Sequence, residues 1–84
     1  MKLNSYHLSI IWRLKKFGVE IEIKENGIFF RFRGRKYRIR RKKSGGYRLE
    51  TWYDFFKDWI LLKYGSGSLK KCLEKLLEEI QSRR

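Results

Sequence analysis

What most limits how this chain can fold is a change of apolar period after residue 18, followed by two turn signals that agree on one face. Val19, Ile21 and Ile23 alternate with Glu20, Glu22 and Lys24. Alternation of this kind sends one set of side chains to each face of a strand. Asn26-Gly27 follows, a pair suited to a tight hairpin, because a type I′ turn needs positive φ at both central residues. That turn pairs Glu25 with Ile28, so Ile23 faces Phe30 and Ile21 faces Phe32. A second two-residue turn at Gly34-Arg35 sets Phe32 opposite Tyr37 and Phe30 opposite Ile39. Both turns keep the large apolar residues on a single face, which predicts an antiparallel meander buried on one side.

Helical periods flank the meander. Leu3, Tyr6, Ile10, Leu14 and Phe17 recur at spacings of three and four, which predicts a helix over the first 17 residues ending at Gly18. After the meander, a loop through Lys42, Lys43, Ser44, Gly45 and Gly46 leads to Tyr47–Glu50, the expected fourth strand, with Leu49 beside Ile39. Thr51 and Asp54 have the spacing of a capping box. Trp52, Phe55, Phe56, Trp59, Ile60 and Lys63 then recur at helical spacing, predicting a helix that stops at Gly65. Ser66-Gly67-Ser68 is the expected hinge, and Leu69, Cys72, Leu73, Leu76, Leu77 and Ile80 form the stripe of a last helix. The expected fold is α+β. It has an N-terminal helix, a four-stranded antiparallel β-meander and two C-terminal helices packed on one sheet face, in a single domain over residues 1–84.

Charge decides the expected function. The chain carries 22 Lys and Arg against 9 Asp and Glu, a net +13, while its 42% apolar content excludes a disordered basic tail. Ten of the cations fall between Arg31 and Arg48, a stretch with no acid. By the register above, Arg31, Arg33, Lys36, Arg38, Arg40 and Arg48 point away from the core with Phe29 among them. Arg35 sits at a turn, and Arg41, Lys42 and Lys43 lie at the glycine-containing loop. Arg31 is expected opposite Arg38, and Arg40 opposite Arg48; such like-charge pairs destabilise the free protein and a polyanion would relieve them. Lys24 adds to this face, while Glu20, Glu22 and Glu50 subtract from it.

Clustering of this kind creates a local positive potential. The expected partner is therefore nucleic acid, DNA favoured over RNA, held through its phosphates with low sequence specificity. Phe29 is the aromatic placed to stack on a base, or else to cover arginine stems. Two alternatives are an RNA-binding protein, ribosomal or regulatory, and a protein-interaction module that inhibits a nucleic-acid enzyme.

Other classes find little support. His7 has no identifiable catalytic partner, and one Cys with one His cannot make a structural zinc site. Gly45-Gly46 lacks the Gly-Lys-Ser/Thr of a phosphate-binding loop. No enzyme activity, metal or cofactor is expected. The longest apolar run, Trp59–Leu62, is too short to span a membrane, and Lys15 and Lys16 follow the first apolar residues where a signal peptide has its cations in front. An intracellular protein is expected, with a thermophile-like composition free of Pro and Ala. Trp59, Leu61, Leu62, Tyr64 and the last stripe exceed what four strands cover, so either the core is larger or a homodimer forms through the C-terminal helices. The helix–strands–helix order resembles the double-stranded-RNA-binding domain. Residues 65–71 look like that family's approach to its final helix, but Glu74 stands where a second phosphate-binding lysine is expected.

Overall fold

Asn4 starts the first helix by accepting a hydrogen bond from the His7 backbone N–H, while His7 Nδ1 accepts from the Asn4 N–H. The single histidine is thus a capping residue. The computed structural model describes residues 1–83. Its elements are α1 (Ser5–Lys16), β1 (Glu20–Lys24), β2 (Gly27–Phe32), β3 (Arg35–Arg41), β4 (Tyr47–Tyr53), β5 (Asp58–Gly67) and α2 (Leu69–Ser82). The strands form one antiparallel meander in chain order. Both helices cover one face, α2 lying on β3, β4 and β5 and packing against α1.

The core is the apolar face the alternation pointed to. Ile28, Phe30, Phe32, Tyr37, Ile39 and Leu49 are buried from the sheet, and Ile10, Ile11 and Leu14 from α1. All six stripe residues of α2 are buried in this chain's own core. Ser68 caps that helix, accepting from Lys71 N–H at 3.1 Å.

The register differs from the expected one by two residues, which leaves the faces unchanged. Ile23 pairs with Ile28 and Ile21 with Phe30; Phe30 pairs with Tyr37 and Ile28 with Ile39. Each turn sits one residue earlier than the sequence suggested. The second is Arg33-Gly34, with φ of 50° and 81°, the positive pair a type I′ turn demands. The first is Glu25-Asn26, and Gly27 has a different task. A Cβ there would lie 2.7 Å from the Ile39 carbonyl oxygen, so Gly27 is needed for strand approach.

The larger correction is after residue 50. Thr51 and Asp54 do not cap a helix, and no helix spans Trp52–Lys63. Thr51 Oγ1 instead donates to the Lys36 carbonyl at 3.0 Å, and Asp54 accepts from the Trp52 indole at 2.8 Å. β4 runs on to Tyr53, residues 54–57 turn, and β5 returns. The run is rich in Thr, Tyr, Trp, Phe and Ile, which pack well on a pleated sheet and are mediocre helix formers. Gly65 lies within β5, and Ser66 and Gly67 finish it. The sheet therefore has five strands with one C-terminal helix.

Gly27→Ala should lower stability by about 1–3 kcal/mol, because the strand backbone must move to admit the methyl group. Urea unfolding should show the midpoint falling with the slope unchanged.

Candidate nucleic-acid interface

One sheet face is left uncovered by the helices, and parity sends the polar half of β1–β4 to it. On β3 these are Lys36, Arg38 and Arg40; on β4, Arg48, Glu50 and Trp52; on β2, Phe29 and Arg31. Register places Arg31 beside Lys36, Phe29 beside Arg38 and Arg40 beside Arg48. The expected Arg31–Arg38 pair is therefore replaced by an Arg31–Lys36 pair, still of like charge.

Glu50 occupies the centre of this face and is only 2% exposed. Its Oε1 accepts from Arg38 Nε at 2.7 Å and from Arg40 Nε at 2.9 Å. Arg48 Nε lies 3.3 Å from Oε2 in an ion pair that is not aligned as a hydrogen bond. Three guanidinium groups thus roof one carboxylate. The Arg38 guanidinium also stacks on Trp59 of β5, 4.4 Å from the ring centroid. Burial alone would push the Glu50 carboxyl up; the hydrogen bonds from Arg40 and Arg38, with their charge, outweigh it and hold the carboxyl below the ordinary glutamate range.

Of the other cations, Arg31 and Lys36 share the open face, whereas Arg35 and Arg41 fall by the parity of β3 on the side of buried Tyr37 and Ile39. Arg33, expected to point away from the core, instead lies over the ring of buried Phe32 at 5.1 Å, because the turn sits at Arg33-Gly34. Arg31, Arg35, Lys36 and Lys43 are exposed. Arg33, at the β2–β3 turn, donates to the Arg83 carbonyl at 2.9 Å. Arg41 donates to the Tyr47 hydroxyl at 3.3 Å, and Lys42 to Ser66 Oγ at 2.8 Å. Among the described residues, none of these seven has a carboxylate at ion-pairing distance. Phe29 is half-buried under the Lys24 ammonium, 5.0 Å from its ring centroid. It also lines an open groove of about 460 Å³ shared with Glu20, Glu22, Arg31, Lys36 and Trp59. That edge of the face has mixed charge.

Trp52, Phe55 and Trp59, which helical spacing assigned to the core, stand outside it. Trp59 and Trp52 are on the open face, in edge contact at 5.6 Å between centroids. Tyr53, Phe55 and Phe56 are exposed at the β4–β5 tip. The signal for them was the β-rich composition of residues 51–62, which the helical spacing masked. His7 caps α1, and burial pushes the Cys72 thiol up to about 11. Among the described residues no cluster of His, Cys, Asp or Glu could hold a metal, and no helix is long and apolar enough to cross a membrane.

Compared with known proteins, the chain matches no family model, no curated protein and no solved structure.

Glu50→Gln should destabilise the fold by about 1–3 kcal/mol, less than a fully buried pair would lose, since water reaches the arginines. Because the Glu50 carboxyl is held low, its contribution is present above the ordinary glutamate range and is lost as pH falls through the lowered value. Urea midpoints measured across acid pH should therefore fall less steeply in the Gln variant than in the parent.

Proposed function

We propose that this chain is a small DNA-binding protein that grips the phosphate backbone through the arginine-rich β2–β4 region and its loop, with little dependence on base sequence. The observation that carries the reading is the set of seven clustered cations without carboxylate partners among the described residues, Arg31, Arg33, Arg35, Lys36, Arg41, Lys42 and Lys43. Lys36 belongs to the strip that it makes with Arg38 and Arg40 on the open face of β3, Arg31 adjoins it across the strand pair, and the other five stand at the two ends of the strand. That seven-residue strand is roughly 23 Å long at about 3.3 Å per residue, some two-thirds of a turn of B-DNA.

Glu50 offsets one of three arginine charges and leaves donors over. Arg38 gives it Nε and Arg40 gives it Nε and one terminal nitrogen. A guanidinium has five N–H groups, so both keep N–H donors for phosphate oxygens. A polyanion would also relieve the repulsion between Arg31 and Lys36. Binding, as opposed to catalysis, is supported by the use of His7 as a cap and by the raised, buried thiol of Cys72.

With about six to ten phosphates engaged, affinity for duplexes of unrelated sequence should fall about 10³–10⁵-fold between 50 and 200 mM salt. Replacing Arg31, Arg41 and Lys43 together by Gln should reduce the slope of log affinity against log salt by about 3. Fluorescence anisotropy measures both. A flat salt response in the parent protein would overturn the reading.

A further inference from the structure

The β4–β5 tip takes no part in the core, yet it carries three rings in water. Tyr53, Phe55 and Phe56 are 48%, 84% and 60% exposed. They lean on one another, with centroids 5.4 Å apart for Tyr53–Phe56 and 5.2 Å for Phe55–Phe56. Apolar surface left in water forgoes about 25 cal/mol per Å², so a cluster of this size asks for an occupant.

Topology puts a second feature beside it. Tyr37 pairs with Thr51, so the start of β3 and the end of β4 lie at the same end of the sheet. The β2–β3 turn and the β4–β5 tip are therefore neighbours. Arg33, Arg35 and Lys36 from the first, with Trp52, Tyr53, Asp54 and Phe55 from the second, line one open cleft of about 540 Å³, which Arg83 also borders. The turn supplies cations and the tip supplies rings. Trp52 is fixed there by its indole N–H, which donates to Asp54, and by its edge contact with Trp59.

Resting on the nucleic-acid reading above, we infer that this cleft binds unpaired nucleotides, with bases stacked on Phe55 and Tyr53 and phosphates against Arg33, Arg35 and Lys36. Every base has a π face, so stacking of this kind tolerates any sequence, and the flanking cations follow the backbone. In a duplex the base faces are occupied by neighbouring pairs. Single-stranded DNA and opened duplex ends are thus the forms this end of the protein selects. An anionic bilayer is the weaker match, since Asp54 and Asp58 bracket the rings and their carboxylates would follow them toward the headgroups. Within the cleft Arg33, Arg35 and Lys36 outnumber the single carboxylate of Asp54, so a phosphate there still meets net positive charge.

The test compares fluorescein-labelled oligothymidylate with an abasic strand of equal phosphate number. The parent protein should bind oligothymidylate more tightly. Tyr53→Ala/Phe55→Ala should weaken oligothymidylate about 5- to 150-fold and leave the abasic strand unchanged. Both side chains are exposed, and the single Phe55→Ser variant repeats the test with less change to the tip; circular dichroism verifies the fold of each. Oligothymidylate affinity equal to the parent's, with the steep salt response intact, overturns the inference and leaves the backbone reading standing. A flat salt response for every strand is the separate failure of that reading. Variants that lose binding to phosphatidylserine vesicles while keeping oligothymidylate affinity would assign the tip to a bilayer and also overturn it.

Discussion

The open face depends on one carboxylate set beneath three arginines. Pleating and register bring Arg38, Arg40 and Arg48 side by side on adjacent strands, an arrangement that would repel itself in isolation. Glu50 lies between them on the same face, 2% exposed, and draws their Nε groups inward. The guanidinium groups in turn cover the carboxylate that the helices cannot reach. This mutual arrangement lets a highly charged sheet face stay ordered without a layer on its outer side. It also fixes the direction of side chains that would otherwise sample many rotamers, which lowers the entropy cost of the phosphate contacts proposed for them.

Much of the fold was legible from residue patterns, because parity and helical period are robust to small errors. The turns at Glu25-Asn26 and Arg33-Gly34 each lie one residue from their expected places, shifting the pairing by two, and Ile28, Phe30, Phe32 and Tyr37 stay inside. A pairing shift of one residue would have turned Arg31, Arg38 and Arg40 inward with Lys36. The stripe of α2 was equally clear, since the six apolar positions admit no strand-like alternation.

Residues 51–67 were misread for a physical reason. Their apolar spacing fits one face of a helix, yet in the fold Trp52 and Trp59 serve the outer face, Ile60 and Leu62 the inner one, and Phe55 and Phe56 neither. Spacing assumes that apolar residues are core residues, and a hairpin with an exposed aromatic tip breaks that assumption. The consequence reached the site. The cationic residues were readable from charge clustering alone, whereas Trp59 beneath Arg38 and the rings beside Arg33 and Arg35 required the fifth strand to be placed. Likewise Glu50 was readable as an acid on the arginine face, but its burial under Arg38, Arg40 and Arg48 arises only from their combined geometry.

The two ends of the interface then differ in character. Around the β3–β4 loop, Arg41 and Lys42 are tethered by Tyr47 and Ser66, and phosphate contact is what is proposed for them. At the β2–β3 end, cations stand beside exposed rings. The most direct measurement is an amide-resolved NMR titration of the protein with a partly single-stranded DNA. Shifts are expected along β3, at residues 42–46, at the Arg33-Gly34 turn and at residues 53–57. Shifts confined to the outer surfaces of α1 and α2, around Leu8, Trp12 and Lys70, would contradict the proposed interface.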